Sequence, residues 1–368
     1  MKRIYLDNNA TTCVDPRVVE AIHKELLRVP SNPSSMHYFG QEARKRLLHA
    51  REIIASFLIC KPQEIIFTSG ATESLNTLLN GIKASHIISS NIEHASVYNT
   101  LKNIEKKGTR ITFLSPDATG SIDPQAVRES IKTDTGLLVF AAANSETGVK
   151  NDIEALAHLA TSSNIPLIVD GVALLGKEPF QIPLGVSAMA FSGHKLHAPQ
   201  GIGFTFIRSS FKITPLFTGG DQEYSKRAGT ENLPGIVALA RAIEILKEIQ
   251  PEATEHMRRL RDHFENTLKT RFNDIVINGN APRIPNTSNL SFLGIDGETL
   301  LIQLDRAGIA ASHGSACASG ALEPSRILTH MQLSKERIRS AIRFSLSRFT
   351  TQDEIDHTIN IITNILKK

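Results

Sequence analysis

The chain has 368 residues, with 41 basic and 37 acidic side chains and a formal net charge of +4. So small an excess, with the basic residues dispersed, excludes nucleic acid or an anionic membrane as the main partner. An apolar share of 41% and a charged share of 21% are those of an ordinary globular protein. The length predicts one large domain with a smaller one.

Met1 to Asn9 turns polar too early for the apolar core of a signal peptide, and no stretch approaches the roughly 20 apolar residues of a membrane span. The expected location is the cytoplasm. Cys13, Cys60 and Cys317 cannot all pair with one another and show no zinc-ligand spacing, which fits free thiols in a reducing compartment.

After an N-terminal segment, Glu64 to Thr68 reads as a strand, and Ser69-Gly70-Ala71-Thr72-Glu73 turns into a helix with a spacing like that of a capping box. Strands at 86–90, 110–114, 137–142 and 166–170 then alternate with helices near 94–106, 124–132 and 153–162. Such alternation predicts a parallel or mixed sheet with helices on both faces. Two more strands, 188–191 and 201–206, precede a long helix near 234–272. That helix bridges to a second domain built from 286–292, a helix after Asp296, a small-residue loop around Cys317, 342–346 and a final helix.

Several residues fall where such a sheet presents ligands. Asp170 ends the apolar run Leu167-Ile168-Val169, at the carboxyl edge, although it could instead cap the next turn. Lys195 follows Ser192-Gly193-His194 at another strand end, where a lysine is otherwise a solvated surface residue. Together they are the pair that pyridoxal 5'-phosphate (PLP) chemistry requires: an amine that forms an imine with an aldehyde, and a carboxylate that keeps the pyridine nitrogen protonated. Gly70-Ala71-Thr72 opens a helix whose amides could hold a phosphate or could simply be an ordinary helix start. His94 stands at a third strand-to-helix junction, fit to stack on a ring or merely to end a helix. Cys317 lies in Gly314-Ser315-Ala316-Cys317-Ala318-Ser319-Gly320. The stretch from Ala310 to Ala321 lacks any bulky apolar residue, which favours a reactive thiol over a buried packing one. Cys13 and Cys60 lack such a loop and read as structural.

With these residues placed, the chain closely resembles the cysteine desulfurases of the NifS and IscS type, PLP enzymes of the class V aminotransferase family and fold type I. The resemblance runs through nearly the whole length. It includes Tyr5-Leu6-Asp7-Asn8-Asn9-Ala10-Thr11-Thr12, Asn32-Pro33-Ser34-Ser35, Arg227-Ala228-Gly229-Thr230-Glu231-Asn232, Gly314-Ser315-Ala316-Cys317 and Ile342-Arg343-Phe344-Ser345-Leu346. The compact Gly-Ser-Ala-Cys loop, with Glu323-Pro324-Ser325 after it, points to the NifS/IscS group rather than the SufS-like one.

The resemblance implies an α/β, aspartate aminotransferase-like fold: a mainly parallel central sheet with a smaller α+β domain. Residues 1–15 would pack with the small domain, 16–255 would form the large PLP-binding domain, and 256–368 the small domain carrying the cysteine loop. It implies Lys195 as imine-forming lysine and Cα proton carrier, Asp170 as partner of the ring nitrogen and His94 as the stacked residue. Ala71, Thr72, Ser192 and His194 would be phosphate contacts. Thr230 would reach the phosphate across a homodimer interface, giving shared active sites. Ser145 would face the cofactor, Asn144 and Arg343 the substrate, and Cys317 would take sulfur from L-cysteine as a persulfide, leaving L-alanine. The implied acceptor is an iron-sulfur scaffold or another sulfur-carrier protein.

This chain departs from that pattern at Ser145, where the family carries a second asparagine, at Ala173, where it carries glutamine, and at His313, where it carries serine. The first two weaken contacts to the cofactor's phenolic oxygen, each hydrogen bond being worth on the order of 1 kcal/mol. Two rival readings remain: another fold type I PLP enzyme, such as a selenocysteine lyase or aminotransferase, which would not need Cys317, and a non-catalytic sulfur carrier.

Overall fold

The computed structural model describes residues 3–314 and 324–367. In chain order the elements are β1 (Ile4–Tyr5), α1 (Pro16–Leu26), α2 (Tyr38–Leu58), β2 (Ile65–Thr68), α3 (Ala71–Asn80), β3 (His86–Ser90), α4 (Ala95–Glu105), β4 (Arg110–Leu114), α5 (Pro124–Ser130), β5 (Thr135–Ala141), α6 (Ile153–Ser162), β6 (Leu167–Asp170), β7 (Val186–Ser192) and β8 (Gly203–Ile207). The short turn α7 (Gln222–Ser225) and the long α8 (Leu233–Arg271) follow. They lead into β9 (Ile275–Ile277), β10 (Thr287–Phe292), α9 (Gly297–Arg306), β11 (Ile309–Ala310), α10 (Arg326–His330), α11 (Lys335–Arg339), β12 (Ala341–Ser345) and α12 (Gln352–Leu366).

Seven strands form the central sheet in the order β2-β8-β7-β6-β5-β3-β4. Pairings from β7 through β4 are parallel, whereas β8 runs antiparallel to both β7 and β2. In β5 the alternation of a strand divides the side chains between faces: Leu137 and Val139 join Leu75, Leu78, Val97 and Leu101 on one side, while Leu138 and Phe140 join the cluster on the other. Where both faces are covered, as in β5 and β6, the strand reads as a nearly continuous apolar run.

Residues 16–58, for which the sequence pattern predicts no element, hold the two helices α1 and α2. Asp15 caps α1 by accepting the Arg17 N–H at 2.9 Å, with Pro16 in the first turn, where its missing N–H is harmless. Along α2 the buried face is Ala43, Leu47, Ala50, Ile54, Ala55 and Leu58, a helical repeat built largely from alanine. Strands β1, β9 and β11, of two or three residues each, were also not foreseen.

The 39 residues of α8 span about 58 Å. Ile236 to Leu246 pack into the core of the large sheet, and Leu260, Phe264 and Leu268 pack into a second core with the sheet β12-β10-β9. The N-terminal strand belongs with that second core, since β1 pairs with β11 and the Asn8 N–H donates to the Ser345 carbonyl at 3.1 Å. No described helix is long and apolar enough to cross a membrane.

Candidate active site

The parallel strands β3, β5, β6 and β7 deliver their carboxyl ends to one cavity of about 1400 Å³, where open α/β sheets place ligands. Lys195 sits in a tight turn directly after β7, closed by Leu196 N–H to the Gly193 carbonyl at 3.0 Å. Its Nζ donates to the carbonyls of Asn9 and, at 2.7 Å, Ala10. Asp170 ends β6 beside it, in register with Ala190 of β7. Burial raises the Asp170 carboxyl above its usual range, opposed by the charges of His94 and Lys195 and by the Val172 N–H at 3.0 Å.

His94 caps α4: its Nδ1 accepts the Ser96 N–H at 3.1 Å and lies 2.7 Å from the Ser96 hydroxyl. His194 also lines the cavity, with Nδ1 3.1 Å from the Thr11 hydroxyl. Burial, and then the neighbouring Lys195 charge, lower its pKa to about 4, so it is neutral at pH 7.

The expected capping box at the start of α3 does not form. The N-cap is Gly70, at φ 156, which brings no capping side chain, and the Glu73 carboxylate accepts the Ser69 N–H at 2.9 Å instead. The first amides of α3 therefore face the cavity uncapped, with Ala71 and Thr72 among its lining residues. A Cβ at Gly70 would sit 3.5 Å from the Ser192 Oγ, which puts that hydroxyl beside the same helix end.

Not every foreseen residue faces the cavity as expected. Asn144 lines it, yet its Nδ2 donates to the Ile92 carbonyl at 3.0 Å and its Oδ1 accepts the N–H groups of Glu146 and Thr147, so its side chain holds a turn. Ser145 and Ala173 line the wall. Arg343 is 2% exposed and sits outside the lining. Its guanidinium is paired with Asp7 at 2.7 Å and donates to the Ser145 carbonyl at 3.1 Å. Thr230 is exposed and lies outside the cavity lining. Cys317 falls outside the described residues. Cys13, read as structural, is exposed, while burial, with Glu64 nearby, pushes the Cys60 thiol up to about 12.

Four ionisable residues of the wall carry no sequence motif of their own. Burial raises Glu93 to about 8 despite a 2.5 Å hydrogen bond from the Ser90 hydroxyl, and it likewise raises Glu146. The Arg326 guanidinium stacks 4.1 Å from the Tyr98 ring centre and donates to the Glu93 carbonyl. Lys177, 3% exposed, donates to the Lys195 carbonyl at 3.0 Å, and burial, with Lys195 and Arg348 nearby, lowers it to about 7. The one signal available was adjacency, Glu93 standing next to His94, Glu146 next to Ser145 and Arg326 next to Ser325. Among the described residues no cluster of three or more ligating side chains could hold a metal.

Residues 4–358 match the family described as aminotransferase class-V, and the chain belongs to that family. Within it, the similarity is to cysteine desulfurases. The chain is 41% identical to the cysteine desulfurase of Trichormus azollae, over 100% of this chain and 94% of that protein. It is 39% identical to the cysteine desulfurase IscS of Dictyoglomus turgidum, over 100% and 96%. A solved NifS-like protein superposes with a TM-score of 0.93 at 35% identity, covering both chains fully. The NifS-like protein of Rickettsia africae does so at 0.89 and 31%, again over both chains.

Proposed function

We propose that this cavity holds PLP and that the chain, a cysteine desulfurase, uses it to convert L-cysteine to L-alanine with a persulfide left on Cys317. The observation that carries the reading is the placement of Lys195 and Asp170 on the adjacent ends of β7 and β6, in one cavity with an uncapped helix start. The donors fit the group. Asp170 is a buried carboxylate that accepts the Val172 N–H, and a protonated ring nitrogen would neutralise it. The amides of Ala71 and Thr72 and the Ser192 hydroxyl suit a phosphate.

When bound, PLP supplies an electron sink for the pair left at Cα. With cofactor and substrate bound, Lys195 would take the Cα proton and return it, and the Asn9 and Ala10 carbonyls that accept from its Nζ would hold the free amine in position. Asp170 would hold the ring nitrogen in its protonated form, and His94 would be the residue stacked on the ring. Arg343 takes the substrate carboxylate by exchanging its hold on the Ser145 carbonyl, with Asp7 keeping the fork oriented. Cys317 attacks the substrate sulfur. The carbon–sulfur bond breaks, a sulfur–sulfur bond forms, and the thiol proton passes to the substrate fragment, so cysteine plus thiol balances alanine plus persulfide.

A homodimer is supported by Leu26, Leu27, Met36 and Tyr38, apolar or aromatic side chains 64–91% exposed along one stretch of chain. The outward position of Thr230 suits a contact with the phosphate of a second copy. The persulfide is handed to a sulfur-acceptor protein of the iron-sulfur scaffold kind, in the cytoplasm. Purified protein given cysteine and a reductant should release alanine and sulfide in equal amounts. Borohydride should fix the cofactor on the peptide containing Lys195, and a label elsewhere would overturn the assignment.

A further inference from the structure

Glu73 stands in the first turn of α3 and lines the cavity, beside the amides assigned above to the phosphate. A free carboxylate there would repel a dianion. Arg227 meets it: Nε donates to Oε1 at 2.9 Å and an Nη to Oε2 at 3.4 Å, with the Glu73 side chain only 8% exposed. Burial raises the Glu73 carboxyl, yet the hydrogen bonds from Arg227 and Ser69 outweigh it and leave the group ionised.

The backbone that brings Arg227 there is under constraint. Glu223, Tyr224 and Ser225 all lie in the left-handed region, at φ 50, 57 and 60, which L-residues rarely adopt in succession. The buried Glu223 carboxylate holds them. It accepts the Phe67 N–H at 2.8 Å and both Nη atoms of Arg51, at 2.9 and 2.5 Å, while Arg51 also donates to the Ile65 carbonyl. β2 is an edge strand, so the pair satisfies the backbone groups its outer side would leave unmet. One short segment thus grips both the strand that enters the helix start, through Glu223, and the carboxylate upon it, through Arg227.

We propose that Arg227 is a positioning residue for the cofactor phosphate, neutralising Glu73 and drawing it back so that the α3 amides meet the phosphate without a competing carboxylate, and that the Arg51–Glu223 pair fixes Arg227 through the left-handed turn. This rests on the PLP reading, and the test separates the two. Apoenzyme of the full chain is titrated with PLP and with pyridoxal, which lacks the phosphate, and binding is read from absorbance. Failure of the wild-type protein to bind PLP at Lys195 would sink the PLP reading itself.

Given wild-type binding, Arg227→Met should weaken PLP about tenfold or more, as an unscreened carboxylate near a dianion requires, and leave pyridoxal affinity unchanged. Arg227→Lys should recover part of the loss, and adding Glu73→Gln to Arg227→Met should recover most of it. Equal weakening of PLP and pyridoxal, or no change in either, overturns the proposal. Glu73→Gln alone decides the matter should Arg227→Met not fold: PLP should bind as tightly as to wild type or tighter, and weaker binding specific to the phosphate overturns it.

Discussion

Replacing Lys177 with methionine should stabilise the apoenzyme, by an amount that depends on pH in a calculable way. Lys177 is 3% exposed, its Nζ donates one hydrogen bond to the Lys195 carbonyl, and it makes no ion pair among the described residues. Burial lowers its pKa from 10.5 to about 7. The folded protein therefore binds fewer protons here than the unfolded chain between those two values, and stability contributed at this site rises as pH rises through that window. Each tenfold loss of proton affinity on folding corresponds to about 1.4 kcal/mol, so being buried costs the group about 4 kcal/mol at pH 7 and about 1 kcal/mol at pH 9.5. Loss of the hydrogen bond returns about 1 kcal/mol. The stability difference between Lys177→Met and wild type should thus be about 3 kcal/mol in favour of methionine at pH 7 and should close by about that amount at pH 9.5. Urea unfolding of both apoproteins, at matched protein concentration and at each pH, measures it. A gap that does not change with pH would refute the reasoning.

Other predictions concern acid and the cofactor pocket. Burial, with Arg348 and Lys177 nearby, lowers His197 to about 3, so unfolding by acid should draw about 1.4 kcal/mol per pH unit from this residue as pH falls from 6.5, and His197→Gln should flatten that slope in urea titrations. Cys317→Ala should abolish alanine and sulfide release from cysteine while the cofactor absorbance stays, and sustained sulfide release would favour a rival PLP enzyme. Ala173→Gln, at the cavity wall, should add a hydrogen bond worth about 1 kcal/mol to the cofactor's phenolic oxygen and move the pH titration of its visible band. An unchanged titration would count against that contact.

The central sheet was legible because its inner strands are covered on both faces, so that Leu137 to Ala141 and Leu167 to Val169 show as short apolar runs. Lys195 and Asp170 were legible for the same reason, standing where such runs stop. The helix α2 was not, because its buried stripe relies on Ala43, Ala50 and Ala55 and contains Arg51, whose partner Glu223 is distant in sequence. The capping box failed because the cap position belongs to Gly70, and Glu73 is taken by Arg227 and the Ser69 N–H. Burial of charge is a tertiary property, so Lys177 and Glu93 gave no local sign of it, and the Arg343 pairing with Asp7 joins residues at opposite ends of the sequence.

That stitching of early to late chain bears on how the protein is made. The carbonyls of Asn9 and Ala10 that hold the Lys195 amine lie on a strip clasped by Ser345 and β11. A nascent polypeptide can complete its seven-stranded sheet with the amine already in place, but the clasp exists only once residue 345 has left the ribosome. Competence is thereby tied to the synthesis of β12, and a truncated product lacking β12 would carry Lys195 without the strip that restrains it.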